Sequence, residues 1–440
     1  MTTLTHRHRS RTRKLFFGIA IGIAAVTLPA ARAHAEIQIV SKDGWVLSTD
    51  GRINNFVSVA RGNWIPAQEP PYTGVDDEPT TGNKIASARL RTGFMMNIIG
   101  FELKKEVSER TRVRARVALW ALSSSLRSAL DAPALEAREA YFTVEGAWGG
   151  LLVGRSLALF ARGGIMLDYE VEHGYGLGYP CAIKEVHGGA CGHAGFGLLF
   201  PGFHSGFVYS TPKVGGLQLS VGAYDPIQFA ESNYRRTPYP RPEAELMFAT
   251  PNKVFKAFVG GIWQRISASL VADPTLGIKS DYDFDAMGIN YGLGLNLGPL
   301  MLGFSGFAGK GLGLAVPLED NPAILLSGRP GLRSEDGYWG AGALVFGGFK
   351  IAGGAGITRA KRDRDDPPDT SVNVPFIAQQ LGFSGGIYQT AFDMVTFAVE
   401  YFGAQFTWFD RTETLADGSM AVVRPRQFVN FVNVGATLVW

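Results

Sequence analysis

The side chains best suited to chemistry lie in one segment, from Leu157 to His204. It contains both cysteines of the chain and, beyond the first 35 residues, every histidine. Thiolates, imidazoles and carboxylates bind transition metals, two cysteines can form a disulfide, and carboxylates can line a charged opening. The residues concerned are Cys181, Cys191, His173, His187, His193, His204, Asp168, Glu170, Glu172 and Glu185.

The two cysteines favour a disulfide over a metal centre. The cysteines and histidines match neither a C-x₂-C nor an H-x₃-H spacing, so a zinc site is a weaker alternative, as are free thiols. In an exported protein, an oxidising compartment makes a Cys181–Cys191 disulfide the expected state. Such a bridge closes a short loop and stabilises it by about 2–3 kcal/mol. The sequence therefore predicts a disulfide, no metal and no other cofactor.

Export is indicated by the first 35 residues, which have the pattern of a signal peptide. A basic stretch from His6 to Lys14 precedes an apolar stretch from Leu15 to Pro29, and Ala33-His34-Ala35 provides a cleavage site. An uncleaved anchor is the alternative, but the apolar stretch is short for a membrane span. The mature chain, residues 36–440, would have 36 basic and 39 acidic residues, a net charge of −3. No nucleic-acid partner is expected at this charge.

Motifs of enzyme active sites are weak. Gly382 to Gly386 reads GFSGG and matches G-x-S-x-G, but it lies within a strand pattern, whereas that nucleophile turn requires a following helix. Gly309-Lys310 lacks the Ser or Thr of a phosphate-binding loop. We predict that the protein is not an enzyme.

The mature chain alternates apolar and polar residues in segments of about ten, joined by short turns and longer polar stretches in turn. Beyond residue 40 no apolar run reaches the length of a transmembrane helix. This pattern is typical of transmembrane β-hairpins. It predicts an all-β fold: a transmembrane antiparallel barrel of sixteen strands over residues 36–440, the last strand running from Gln427 to Trp440. The segment 157–204 would be a long loop after strand five, folded inward to narrow the pore.

The third strand, Thr111 to Ala121, carries three arginines on one face and aliphatic residues on the other. Arginines cannot enter a dry core unpaired without a large desolvation cost, so they must face water. In a soluble sandwich that face would be the exterior, and in a barrel it is the lumen. The residues predicted to line the pore wall are Arg112, Arg114 and Arg116, with Arg52, Arg138 and Arg155 as additions.

Two further patterns concern the barrel interior. One face of strand ten carries Gly288, Asn290, Gly292, Gly294 and Asn296, which indicates tight curvature or room for something inside. Six tryptophans are expected in aromatic girdles: Trp45, Trp148 and Trp440 at one interface, and Trp120, Trp339 and Trp408 near the other.

Three stretches resemble the Gram-negative general porins. GRINNF from Gly51 is similar to their first-strand pattern, REAYFTVEGAWGGLLVGRSLALF from Arg138 to their strand pair before the constriction loop, and the terminal FVNVGATLVW to their closing strand. The chain departs from them in ending with Trp, in its Cys and His content and in lacking a Pro-Glu-Phe-Gly turn. The resemblance implies a homotrimer in the outer membrane, in contact with lipid, whose assembly machinery recognises the strand ending in Trp440. It also implies loop acids facing arginines across the pore.

These observations favour a pore for passive diffusion of small hydrophilic solutes and ions, with an arginine wall opposite an acidic loop. The alternatives are a porin selective for phosphate, organic anions or sugars, and, less favoured, an outer-membrane enzyme or adhesin on a barrel scaffold.

Overall fold

The fold follows from the sustained alternation of the chain. A computed structural model describes residues 36–63, 80–81, 84–121, 135–170, 192–226, 234–235, 239–269, 281–312, 324–325, 331–361, 377–414 and 417–440. The predicted signal peptide, residues 1–35, lies outside these ranges. Within them, no helix is long and apolar enough to cross a membrane.

Sixteen antiparallel strands of the described chain form a closed barrel, which confirms the predicted count. The first strand pairs with the second on one side and with the last on the other. The strands are β1 Trp45–Asn63, β2 Lys84–Arg91 with Asn97–Ser108, β3 Thr111–Ala121, β4 Leu135–Gly146, β5 Gly149–Leu157, β6 Phe203–Ser210, β7 Leu217–Tyr224, β8 Arg241–Ala249, β9 Phe255–Ser269, β10 Asp281–Leu297, β11 Leu300–Lys310, β12 Ser334–Phe346, β13 Phe349–Ala360, β14 Ile377–Ala391, β15 Val395–Trp408 and β16 Arg426–Val439.

Shorter strands extend the barrel at its two ends. Ile37–Lys42 pairs with the start of β1 beyond the end of β16. Tyr234–Arg235 continues β8 along β9. Two hairpins and one two-residue strand belong to the long connections: Ile324–Leu325 with Gly331–Leu332, Arg411–Thr414 with Met420–Val423, and Thr80–Thr81 beside β2.

The alternation of β1 shows how the sequence sets the two faces. Ile53 and Val57 are exposed on the outside, whereas Asn54, Phe56 and Ser58 are buried inside. Successive side chains of a strand point to opposite faces, so one apolar face can contact lipid while the other faces the interior. The barrel seam closes at the last residue, where Gly51 and Trp440 exchange backbone hydrogen bonds of 2.9 and 3.0 Å.

β2 is interrupted between Arg91 and Asn97, and this break turns inward. The side-chain amide of Asn54 donates to the carbonyl of Met95 at 2.8 Å, and its oxygen accepts from the N–H of Gly93 at 2.7 Å. The sequence pattern predicted one continuous strand here. The asparagine replaces the missing ladder bonds, so the barrel wall stays closed.

The expectation for three of the tryptophans was wrong. Trp120, Trp339 and Trp408 are buried rather than placed in an outer girdle. Trp339 is fully buried and stacks on His193, which comes from the long loop inside the barrel. Trp45 and Trp148 are exposed at the short-turn end, as expected. An interior occupied by a loop offers aromatic rings an apolar environment that an empty pore would lack.

Candidate functional site: the loop inside the barrel

The first arm of the long loop, residues 158–170, enters the barrel directly after β5. It contains a short helix, α1, Arg162–Ile165, and is largely buried. The backbone N–H of Phe160 donates to the carboxylate of Glu243 at 2.8 Å, and Arg162 forms an ion pair with Glu245. Both acids project inward from β8, so this wall holds the start of the arm.

The end of the first arm is held by the wall farther around the barrel. The hydroxyl of Tyr169 donates to the carbonyl of Leu302 on β11 at 2.9 Å. The ammonium of Lys350 on β13 donates to the carbonyl of Tyr169 at 2.8 Å. The arm therefore extends inside the barrel from β8 to β13.

The second arm, residues 192–202, packs on the same side. Phe196 lies edge-on to Phe402 and Phe406 of β15, with ring centroids 5.1 and 5.7 Å apart. The N–H of Gly197 donates to the hydroxyl of Thr358 on β13 at 2.9 Å. Phe94, in the break of β2, contacts Phe200 edge-on at 5.5 Å.

Glycines of the wall make room for both arms, which explains the glycine-rich inner faces of the sequence. A Cβ at Gly294 of β10 would lie 2.8 Å from the side chain of Leu167. A Cβ at Gly382 would lie 2.8 Å from the ring of Phe196, and one at Gly356 would overlap the carbonyl of Phe196. Real Cβ atoms do not approach other heavy atoms this closely, so the loop can lie this close to the wall at these three positions only because each is glycine.

Three ionisable residues from the two arms meet in the interior. The Nδ1 of His193 lies 2.6 Å from Oδ2 of Asp168, and its Nε2 lies 3.8 Å from Oε2 of Glu170. All three side chains are at most 3% exposed. Glu170 also accepts a hydrogen bond from the hydroxyl of Ser384. Ser384 is the serine of the GFSGG motif, and it lies in the middle of β14 as predicted.

Burial and charge shift the pKa values of these loop groups. Burial raises the pKa of Glu170 to about 8, helped by the charges of Asp168 and Glu400 and opposed by His193. For His193, burial lowers the pKa, but the charge and hydrogen bond of Asp168, together with the charges of Glu170 and Glu400, outweigh burial and raise it to about 9. The imidazole therefore carries a proton at neutral pH.

Asp168, Glu170 and His193 are possible metal ligands that lie close together, but they are arranged as an ion-pair network. Their three ligand-type atoms lie within 4.8 Å of one another. However, the Nδ1 of His193 is engaged by Asp168, so one carboxylate alone faces Nε2. A bound transition metal normally requires three or four converging protein ligands.

The arginines of β3 project inward, and each has an acidic neighbour. Arg116 forms a two-pronged pair with Asp50 of β1, at 2.6 and 2.9 Å, and lies 3.4 Å from Glu139. Arg114 lies 3.6 Å from Glu102. Arg112 pairs with Glu106 at 2.5 Å beside the turn into β3, where it is 55% exposed. The row therefore runs from the short-turn end toward the middle of the barrel.

The other predicted arginines form a second group around Trp120. Arg138 lies where the register between β3 and β4 shifts, and this shift turns its side chain inward. Alternation along β4 alone permits either orientation. It pairs with Glu136 at 2.7 Å, as does Arg155 at 2.8 Å. Arg52 and Arg138 both lie over the Trp120 ring, at 5.6 and 5.2 Å.

The structure does not bring the described loop acids to these arginines. Asp168 and Glu170 contact His193 and Ser384 instead. The remaining predicted loop residues, Glu172, Glu185, Cys181 and Cys191, lie outside the described residues, together with His173 and His187. His204 is the second residue of β6.

Several residues that hold the loop were not identified from the sequence. Arg241, Glu243 and Glu245 alternate along β8, and this period of two could have identified an inward-facing charged row. Arg162 and Lys350 gave no such signal, because their partners Glu245 and Tyr169 are distant in the chain. Tyr388 and Glu400 pair with each other across two neighbouring strands.

Comparisons with known proteins agree with this architecture. A family profile described as Gram-negative porin matches residues 20–437. A search by sequence among curated proteins gave no match.

Among solved structures, the outer membrane channel DcaP of Acinetobacter baumannii is similar over 91% of this chain and 99% of its own, with a TM-score of 0.62 and 12% identity. The anion-selective porin from Comamonas acidovorans is similar over 90% and 100%, with a TM-score of 0.56 and 10% identity. OmpT of Vibrio cholerae is similar over 92% and 100%, with a TM-score of 0.54 and 14% identity. At these identities the structures support the fold. Together with the profile match across nearly the whole sequence, the closed barrel and its internal loop show that the chain belongs to the Gram-negative porin family of outer-membrane channels.

Proposed function

We propose that the protein lets small hydrophilic solutes and ions diffuse passively across the outer membrane, through an opening that the long loop narrows. The observation that carries this proposal is the attachment of both loop arms to the inner wall, through Glu243, Leu302, Lys350 and Thr358. A loop bound at so many points keeps one position in the bore near neutral pH, so it would set a defined size limit there.

The opening is charged in this proposal. Its positive side comprises Arg52, Arg112, Arg114, Arg116, Arg138 and Arg155. The proposed acids are Asp168, Glu170, Glu172 and Glu185. Because Asp168 and Glu170 are buried, their part would be to fix the loop, which leaves Glu172 and Glu185 as the acids that could contact solute. Fixed charges beside a narrow opening favour ions of the opposite sign.

The remaining parts of the proposal concern export and assembly. Residues 1–35 would be removed as a signal peptide, and Cys181 and Cys191 would then form a disulfide that stiffens the loop. Trp440, whose backbone closes the barrel seam, would mark the strand that the assembly machinery recognises. Assembly as a homotrimer is proposed from the family, and one OmpT structure is described as a trimer form.

A porin selective for phosphate or organic anions is the second candidate. It is favoured by the six arginines of β1 and β3–β5, and one structural neighbour is described as an anion-selective porin.

Swelling of liposomes that contain the purified protein separates the two candidates. Passive diffusion predicts that entry rates fall smoothly with solute mass and increase linearly with concentration. Liposomes without protein are the control. Saturation by phosphate or by one organic anion, at rates above those of equally large neutral solutes, would reject passive diffusion in favour of the selective channel.

A further inference from the structure

His193 lies where the two loop arms and the barrel wall meet. Carboxylates face both of its nitrogens, Asp168 at 2.6 Å and Glu170 at 3.8 Å. Its ring stacks on Trp339 at 4.6 Å and lies 5.3 Å from the ring of Phe402. A carboxylate hydrogen-bonded to Nδ1, a second carboxyl group near Nε2 and the aromatic rings beside its faces stabilise an imidazolium better than a neutral imidazole.

The elements around His193 bring more negative than positive charge. Asp168 and Glu170 come from the first arm, and Glu400 comes from β15, where it accepts a hydrogen bond from Tyr388 of β14 at 2.7 Å. β13 contributes Lys350, whose ammonium lies 4.5 Å from the Tyr388 ring centroid. β12 contributes the neutral Trp339, and β14 the hydroxyl of Ser384. If His193 lost its proton, the ammonium of Lys350 would be the one cation among these groups, beside three buried acids of which Glu170, with its pKa raised to about 8, is protonated near neutral pH.

We propose that His193 is the positioning residue of the constriction: its charged ring clamps the first arm to the second and both arms to the wall of β12–β15. This inference rests on the proposed function, because the clamp affects permeation only if the loop sets the opening.

The clamp predicts that the loop detaches as the pH rises. A histidine freed from the clamp would titrate near 6.5, whereas the pKa of His193 in place is raised to about 9. The docked loop therefore binds more protons than the released loop between these values. The stabilisation of the docked loop by this proton is complete below about pH 6.5 and is lost as the pH rises through about 9. The pKa of Glu170 is also raised, to about 8, and acts in the same direction, since a released carboxylate ionises earlier.

The test is the pH profile of single-channel conductance for the full-length protein in planar bilayers. The wild type should keep a low conductance from pH 6 to 7 and rise toward that of a variant lacking residues 174–195 as the pH passes 9. His193→Gln should show high conductance already at pH 7, because removal of one partner of a buried ion pair shifts docking by roughly 100-fold. His187→Gln, in the same loop, is the matched control and should keep the wild-type profile.

The possible results distinguish failure of the clamp assignment from failure of the proposed function. If removal of residues 174–195 leaves conductance unchanged at every pH, the loop does not set the opening and the proposed function is wrong. If that deletion raises conductance but His193→Gln keeps the wild-type profile, or His187→Gln shifts the profile equally, the clamp assignment is wrong. If His193→Gln fails to assemble, the wild-type profile alone decides, because a flat conductance from pH 7 to 10 rejects the clamp.

Discussion

At the scale of single residues, the proposed opening depends on arginines whose charges are partly offset by acids of neighbouring strands. Arg114 and Arg116 pair with Glu102, Asp50 and Glu139. Such partly exposed pairs contribute little to stability but hold each guanidinium in one place. Because the acids lie on the wall strands, removal of the arginines would leave fixed negative charge beside the permeating ion.

Replacing Arg112, Arg114 and Arg116 together by Ser should therefore shift selectivity toward cations. A unit charge about 6 Å away in water contributes about 0.7 kcal/mol, or a factor of about three in local ion concentration. We expect the ratio of anion to cation permeability to fall by about that factor or more. The reversal potential in a salt gradient measures this ratio.

Arg265→Ser provides the matched control. Arg265 pairs with Asp283 and Asp285 near the long-connection end of β9, and its strand position points it outward. The variant loses a similar ion-paired arginine but should leave the reversal potential unchanged. Equal shifts in both variants, or none in the triple variant, would place the β3 arginines away from the ion path.

The sequence predicted the direction of these side chains but not their partners. Alternation within one strand, a local property, places Arg112, Arg114 and Arg116 on the same face. The pairing of Arg116 with Asp50, and of His193 with Asp168, depends on which segments meet in three dimensions. The sequence therefore predicted an acidic loop opposite the arginines, whereas the described acids fix the loop to the wall.

At the scale of elements, glycines on the inner faces decide where the loop can lie. Gly356 of β13 is the sharpest case, because a Cβ there would overlap the carbonyl of Phe196 and approach Cε3 of Trp339 at 2.6 Å. Gly385 of β14 has open space instead. A Cβ there would lie 3.9 Å from the nearest heavy atom, the carbonyl oxygen of Ala352.

Gly356→Val should displace the second arm while the barrel still forms, because valine suits a strand but overpacks this contact by about 1–3 kcal/mol. We expect higher conductance than in the wild type. Gly385→Val, the matched control, should keep wild-type conductance. If Gly356→Val folds and conducts like the control, the second arm is not held where the structure places it.

Element boundaries were predictable because turns and strands leave local signals. Gly298-Pro299 and Gly347-Gly348 are local turn signals, and each joins a pair of neighbouring strands. The glycine-rich face of β10 indicated either tight curvature or room for something inside, and at Gly294 the side chain of Leu167 from the loop occupies that room. By contrast, the inward break of β2 depends on Asn54 from another strand, and the inward tryptophans depend on the presence of the loop. Such features cannot be read from a single strand.

At the scale of the whole molecule, the barrel provides a closed wall, and in the proposed function the loop inside it narrows the bore. The outer surface carries many exposed apolar side chains, such as Ile289 of β10, Phe304 of β11 and Phe383 of β14. The interior holds the charged and polar groups. In the proposed function, lipid contact and solute passage would thus use opposite faces of the same strands.

The most direct measurement of the central claim compares the wild type with a variant lacking residues 174–195. Single-channel conductance is recorded in planar bilayers with neutral polymers of increasing size. We expect the deletion to raise conductance by about twofold or more and to admit larger polymers, because the loop would no longer narrow the pore. Deletion of residues 362–376, a shorter segment between β13 and β14, should change neither. If the deletion of 174–195 leaves conductance and polymer cut-off at wild-type values, the loop does not set the opening.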